Sequence, residues 1–393
     1  MGSAPLEWRV VNGDGVARVV VTRELPGSRW LDLLELAGCR VEIAQSDERL
    51  APEQLREAVG SRCDAVIGQL TEQWGEPLLA ALKDAGGKVY SQYAVGYDNV
   101  DVAAATSLRL PVGNTPGVLT ETTAEMAVAL TFAAARRIPE GDRLMRAGGF
   151  HVWLPQLLLG DLLYRGTVGI IGAGRIGTAY ARMMAEGHKM DVLYFDPHKN
   201  AGLESYLWDY SELLAARGEG RVRCRQVHDL RELLAESDVV SVHAALSPQT
   251  RHLIGAAELA TMREDAILVN ASRGPLVDEA ALVEHCRTHP RFRAGLDVYE
   301  REPEMAPGLA GLDNVVLVPH LGSASRVTRE GMATLAAANV RAMLNGWPVW
   351  PAADDMDDVA PFLHGDMPQA APSIVNAAEL GLRRLPRGGG DEA

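Results

Sequence analysis

A rhythm constrains this chain more than any single residue does. Short runs of branched apolar residues alternate with helix-length segments, and glycine closes most of the helices. Arg18–Thr22, Arg40–Ile43, Asp64–Gly68 and Lys88–Gln92 read as strands. Between them, Arg29–Ala37, Pro52–Val59 and Glu76–Ala85 read as helices, stopped by Gly38, Gly60 and Gly86-Gly87. Parallel neighbours need a crossover, and the crossing helix covers one face of the sheet. The alternation therefore predicts a parallel sheet covered on both faces.

The rhythm resumes after Gly166, with strands at Thr167–Ile171, Val192–Phe195, Asp238–Val242, Ala266–Val269, Ala294–Asp297 and Val315–Val318, and a helix over Gly177–Glu186. Between the two stretches, Thr122-Thr-Ala-Glu125 fits a capping box. It opens a segment, apolar nearly all round, that runs to Arg137 and is ended or kinked by Pro139. Gly148–Pro155 carries aromatic residues of exposed character. An insert lies between Pro197 and His228, with a helix over Tyr206–Ala216 and a Gly/Arg-rich turn at Gly218–Arg223. After His320 comes a helix over Thr328–Asn345 and then a Pro- and Asp-rich tail with too little apolar periodicity for a domain. The tail is expected to pack back on the first domain. The 393 residues are too many for one core. The expected class is α/β, with two doubly wound parallel-sheet domains: a discontinuous one, 1–121 with 325–393, and one inserted into it, 122–324.

Composition narrows the function. The net charge of -14 disfavours general nucleic-acid binding. No apolar run is long enough to span a bilayer. Cys39, Cys63, Cys224 and Cys286 form no C-x-x-C pair, and are expected as buried thiols in a reducing compartment, outside any disulfide or zinc site. Cys286-x-x-His289, beside His285, lacks the second half of a metal site and is expected on a helix surface. The N-terminal residues show no secretory or transit pattern, and Gly390–Ala393 is not a peroxisomal tripeptide, so the default expectation is cytoplasmic.

The glycine loop Gly172-Ala-Gly-Arg-Ile-Gly177 follows a buried strand and opens a helix. Gly172 permits a tight turn, Gly174 allows backbone to approach a pyrophosphate, and Gly177 lets helix pack on strand. The helix start adds free N–H groups and a positive dipole end. Asp196 closes the next strand, nineteen positions after Gly177. A carboxylate there accepts from ribose hydroxyls and repels a 2′-phosphate, favouring NAD(H). His198 and Lys199 soften that preference and leave room for some NADP(H).

Three later segments place polar residues at strand ends, where open α/β sheets bind ligands. They are Val269–Gly274, Gly295–Pro303 and Pro319–Ser323. Hydride transfer to a small 2-oxo acid needs a fork-shaped cation for the carboxylate, and Arg273 suits it. It needs a proton donor near neutral pH, and His320 suits it. It needs a carboxylate to orient and charge that imidazole, and Glu302 suits it. Taken singly, each reads as an ordinary surface or capping residue; the combination behind a dinucleotide loop is what carries the reading.

With these segments, Val95-Gly-Tyr-Asp-Asn-Val-Asp101 and Asn114–Thr120, the chain resembles the D-isomer-specific 2-hydroxyacid dehydrogenase family over roughly residues 60–345. The resemblance implies a Rossmann NAD-binding domain inserted into a flavodoxin-like substrate domain. It assigns Arg273, Glu302 and His320 to catalysis, with Arg273 and His320 also touching substrate and cofactor, and Asp297 to the nicotinamide end. It sets Thr123 by the nicotinamide, Gly322 among the cofactor-binding residues, Arg175 and Ile176 along the pyrophosphate, and Ala244, Ala271 and Ser272 along the cofactor groove. Backbone amides of Val95 and Gly96 would hold the substrate carboxylate. The helix from Thr123 and the stretch around Trp153 resemble the family's dimer region, which implies a homodimer in which Trp153 reaches the neighbour's substrate site. One departure is His243-Ala-Ala-Leu-Ser-Pro248, where the family often places proline sooner after the histidine.

Gly68–Glu72, Gly117–Thr123, Ala179–Met184, the 197–228 insert and Pro372–Asn376 resemble the plant-type glycerate dehydrogenase, or hydroxypyruvate reductase, branch. That branch implies reduction of hydroxypyruvate, and of glyoxylate as a secondary substrate. Other readings remain open: phosphoglycerate dehydrogenase, although no added regulatory domain follows Asn345; formate dehydrogenase, which has Gln where Glu302 stands; and a non-catalytic NAD-sensing corepressor.

Overall fold

A computed structural model describes residues 6–365 and 367–386. The terminal residues behind the targeting expectation, Met1–Pro5 and Gly390–Ala393, lie outside the described residues. The chain divides into two compact units, one running to Leu119 and resuming at Ala324, the other spanning Thr120–Ser323.

In the first unit, β1 (Trp8–Val11), β2 (Ala17–Val21), α1 (Arg29–Leu36), β3 (Cys39–Ala44), α2 (Pro52–Val59), β4 (Ala65–Gly68), α3 (Glu76–Asp84), β5 (Val89–Gln92), α4 (Val102–Ser107) and β6 (Val112–Gly113) follow in order. The sheet order is β1-β3-β2-β4-β5-β6. Without β1 this is the 2-1-3-4-5 order of a flavodoxin-like sheet. The edge strand β1 pairs antiparallel with β3 and escapes the sequence pattern because its residues stay half-buried or exposed.

The second unit holds α5 (Thr120–Ala135), α6 (Ile138–Arg146), β7 (Thr167–Ile171), α7 (Arg175–His188), β8 (Asp191–Phe195), α8 (Ala201–Ala216), β9 (Cys224–Val227), α9 (Leu230–Glu236), β10 (Val239–Val242), α10 (Ala256–Leu259), β11 (Ile267–Asn270), α11 (Glu279–Thr288), β12 (Arg293–Leu296) and β13 (Val315–Leu317). The chain then returns to the first unit with α12 (Arg326–Leu344) and α13 (Met356–Leu363). The second sheet runs β13-β12-β11-β10-β7-β8-β9, all parallel. Successive residues of its strands face opposite cores: Ile170, Val192 and Val269 lie under α5 and α7, whereas Ile171, Val240 and Leu268 lie under α9 and α11.

Several expectations need correction. The supposed insert is the β8–β9 crossover: α8 starts at Ala201, capped by the Asn200 side chain, and the Gly/Arg-rich turn leads into edge strand β9. Thr122 is not a helix cap, because α5 already begins at Thr120, whose side chain is buried with those of Thr123 and Ala127. Pro139 ends nothing by itself; it sits in the first turn of a new helix, α6, where a missing N–H costs nothing. Cys286 is buried against the core under α11 and does not lie on the helix surface. The tail contains α13 and packs within the first unit: Ile374 bridges Gly113, and the Asn376 side chain accepts from the Val112 amide at 3.0 Å. No helix among the described residues is long and apolar enough to cross a membrane.

Candidate active site

Register builds the site. Phe195, Ile171, Val242, Asn270, Leu296 and Leu317 are paired in one row across six strands of the second sheet. Asp196, Gly172, His243, Ala271, Asp297 and Val318 follow them, so the loops leave the carboxyl edge side by side. The sheet order reverses about β7, with β8 on one side and β10 on the other, and such a reversal opens a crevice at this edge.

The glycine loop fits a dinucleotide position by position. Gly172 has φ +91°, and a side chain there would strike the backbone of His243 and Ala244. A Cβ on Gly177 would strike the Gly172 carbonyl, so this glycine permits the strand–helix contact. A Cβ on Gly174 would meet no protein atom within 4 Å, so that face of the loop is open. Gly174 is also the N-cap of α7 and offers no side chain to the helix amides, leaving them for an anion. Arg175 is exposed and Ile176 half-buried at the same helix start. Asp196 uses one oxygen for the Ala173 amide, at 3.0 Å, and the other for the His198 amide, at 2.8 Å. A carboxylate has about four acceptor sites, so capacity remains for ribose hydroxyls.

The next loops hold themselves in shape. Asn270 closes an Asx turn, its Oδ1 accepting from the Ser272 amide at 3.1 Å while its Nδ2 donates to the Arg273 carbonyl at 2.9 Å. The Ser272 hydroxyl donates to the Ala244 carbonyl at 2.7 Å, tying the β10 and β11 loops together. The delayed proline after His243 thus leaves the backbone of Ala244 well held. Ala271 is buried and Arg273 half-buried, and one Arg273 guanidinium N–H donates to the Ser272 carbonyl at 2.8 Å.

Glu302 and His320 meet across the loops after β12 and β13. His320 Nδ1 lies 2.9 Å from Glu302 Oε2, and Glu302 Oε1 accepts from the Tyr299 amide at 3.0 Å. Burial opposes ionisation of Glu302, but the hydrogen bond and charge of His320, the Tyr299 amide and the Arg273 charge outweigh it. The carboxyl is held below its ordinary range. His320 has φ +52°, a left-handed conformation that costs a non-glycine residue about 1–2 kcal/mol. Asp297 holds it there. The Asp297 carbonyl accepts the His320 amide at 2.9 Å, and the carboxylate accepts the Leu321 and Gly322 amides. Asp297 is fully buried; burial pushes its carboxyl up, against the pull of those amides and of His320. Its observed partners are the amides of the loop after β13. A Cβ added to Gly322 would come within 3.4 Å of Thr123, so α5 borders the same loop.

Val95 and Gly96 lie in the first unit, on the loop after β5, and Trp153 is 74% exposed in the segment after α6. Sequence reasoning passed over Asn270, Tyr299 and Asn200, which act through backbone groups. An Asn closing a buried strand was the available signal for Asn270.

A loop–helix cradle for a dinucleotide beside a paired His–Glu and an Arg is the equipment of a hydroxy-acid dehydrogenase. The chain belongs to the D-isomer-specific 2-hydroxyacid dehydrogenase family and is an NAD-dependent oxidoreductase; residues 128–322 match the family's model "D-isomer specific 2-hydroxyacid dehydrogenase, NAD binding domain". It is 53% identical over 380 residues to a glycerate dehydrogenase from Cucumis sativus, covering 96% of this chain and 99% of that one. It is 52% identical over 381 residues to "Glycerate dehydrogenase HPR, peroxisomal" of Arabidopsis thaliana, covering 96% and 98%. Among solved structures, the TT0316 protein of Thermus thermophilus superposes with a TM-score of 0.74 at 39% identity, covering 84% of this chain and 97% of that one.

Proposed function

We propose that the chain reduces hydroxypyruvate to D-glycerate with NADH, and glyoxylate to glycolate more slowly. The observation that carries this is the His320–Glu302 pair, 2.9 Å apart, beside the half-buried Arg273 at the carboxyl edge of a dinucleotide-binding sheet. The names of the two plant relatives support the choice of substrate. Bound nicotinamide supplies the hydride. The residues that would hold the cofactor are Gly172, Gly174, Gly177 and the start of α7 for the phosphates, and Asp196 for the ribose.

Arg273 binds the substrate carboxylate and polarises the neighbouring carbonyl. His320 turns Nδ1 to Glu302, which leaves Nε2 to carry the proton that the carbonyl oxygen takes up as its charge develops. Glu302 remains ionised and fixes the ring's orientation. Asp297 and the Tyr299 amide hold the two partners in register.

The test is NADH oxidation, followed by absorbance, on adding hydroxypyruvate or glyoxylate. Turnover is expected, faster with hydroxypyruvate. NADH binding without turnover on either substrate overturns the proposal in favour of a sensor.

The working form we propose is a homodimer. Ile138, Met145, Val152, Trp153, Leu154, Leu159 and Leu162 are each more than half exposed on and after α6, an apolar surface that a second copy would cover. Light scattering should report twice the 42.3 kDa chain mass, and a monomer at micromolar concentration contradicts the assignment.

A further inference from the structure

The crossover from Pro197 to His228 is not used by the chemistry above, yet its first turn is tied to the glycine loop. Asn200 caps α8 by accepting the Leu203 amide at 2.9 Å. Its Nδ2 donates to the Ala173 carbonyl and to Thr178 Oγ1, both at 2.9 Å. Its own amide donates to the Tyr194 hydroxyl at 3.0 Å, and that hydroxyl donates to Glu204 Oε1 at 2.7 Å. The second oxygen of Glu204 takes the Lys199 ammonium at 3.0 Å. One chain of hydrogen bonds therefore runs from the loop that would cradle the pyrophosphate to the cation three residues beyond Asp196.

That cation matters for cofactor choice. A ribose held by Asp196 puts its 2′ position near the start of this crossover, and a free lysine there would attract a 2′-phosphate. Lys199 is instead engaged by a carboxylate whose other oxygen is already fixed by Tyr194. Burial disfavours the charge on Glu204, but the Tyr194 and Lys199 hydrogen bonds overcome it and hold the carboxyl below its ordinary range. His198 is another basic group nearby; its side chain is 94% exposed, with Nδ1 3.7 Å from Asp196.

We propose that Glu204 is a cofactor-specificity residue: by engaging Lys199, it withholds that cation from the 2′-phosphate of NADPH. This rests on the reading of the second unit as the NAD(H) site. Glu204 acts through Lys199 and is a positioning residue with no contact of its own to the cofactor.

The experiment is titration of NADH and NADPH into the full-length chain, followed by nicotinamide fluorescence. Glu204→Gln keeps an acceptor for Tyr194 and releases Lys199. The NADPH Kd is expected to tighten about fivefold, in keeping with the modest strength of a half-exposed pair, while the NADH Kd stays within about twofold. Glu204→Gln with Lys199→Met should lose the gain. Lys199→Met alone should leave the NADPH Kd within about twofold, since the lysine is already occupied. An unchanged NADPH Kd in Glu204→Gln overturns the proposal, as does a gain that survives the double substitution. Weaker NADPH binding in Lys199→Met also overturns it, and that variant decides the matter even if Glu204→Gln does not fold. Failure of the unaltered chain to bind NADH would instead overturn the underlying cofactor reading.

Discussion

The two sheets reverse their strand order in the same way, yet they treat the resulting crevice differently. In the first unit the reversal falls between β2 and β4, and protein fills it. Glu72 is 2% exposed there and accepts from Trp74 Nε1 at 3.0 Å and the Gln69 amide at 3.1 Å. Burial pushes its carboxyl up, against hydrogen bonds that include the Thr22 side chain from the loop after β2. Asn99 then bonds the carbonyls of Gln69 and Glu72 and receives the Gln92 amide, closing a buried polar web. In the second unit the reversal falls between β7 and β10, and Gly174 faces open space. Topology provides the crevice in both units, and the residues at its mouth decide whether it is structure or site.

The largest effect is expected at the proposed catalytic pair of the open crevice. His320→Ala should lower turnover by ~10²–10⁴, the usual worth of a positioned general acid. The measurement is steady-state NADH oxidation with hydroxypyruvate, and an undiminished rate at neutral pH removes His320 from the mechanism. Glu302→Gln keeps a hydrogen bond to the ring but removes the carboxylate that this pairing holds ionised. Turnover should therefore fall by roughly tenfold to a hundredfold in the same assay, the worth of a charge-assisted bond of about 1.5–3 kcal/mol. Arg273→Lys should lower kcat/KM by roughly tenfold to a hundredfold, because a point charge gives up charge-assisted bonds of about 1.5–3 kcal/mol each.

The first unit should behave in the opposite way. Glu72→Ala leaves the Trp74 and Gln69 donors unpaired in a buried place, at a cost of about 1–3 kcal/mol. A lower urea midpoint is expected, with the NADH Kd within about twofold of the parent chain. If NADH affinity falls in step with stability, the filled crevice is not merely structural and the contrast between the units fails.

Much of this could be read from the sequence because strands buried on both faces leave uninterrupted apolar runs, and glycines mark the helix ends. The triad candidates were legible for a different reason: Arg273, Glu302 and His320 each follow a buried strand by a few residues. β1 and β9 were hidden because edge strands lack the apolar run. α6 was hidden by Pro139, which can end a helix or begin one. Asn270, Asn200 and Asp297 hold backbone amides and carbonyls of residues distant in sequence or around a turn. Side-chain spacing does not encode such partners, so the Asp297 amide clamp appears only when the loops after β12 and β13 are set side by side.

The smallest expected effect concerns what lies beneath the open crevice. His243 follows β10, its backbone beside Gly172, with Nε2 2.8 Å from Ser241 Oγ and Nδ1 without a hydrogen-bond partner. Burial lowers its imidazole to about 3, so in the folded chain it is neutral throughout the mildly acidic range. The unfolded chain takes up a proton near the ordinary histidine value of about 6.5. Between those two values the unfolded state binds the extra proton, so stability rises with pH there and is lost as pH falls. The slope from this one residue is at most about 1.4 kcal/mol per pH unit. Protection of the β7 and β10 amides, in the central strands of the second unit, relative to intrinsic exchange should therefore fall from pH 6.5 to pH 5. His243→Gln should flatten that dependence, since an amide does not titrate. Equal pH dependence in the two proteins would mean that the imidazole can be protonated in place. The floor of the open crevice would then be wetter than the closed packing around Tyr180, whose ring lies 5.2 Å from that of His243, implies.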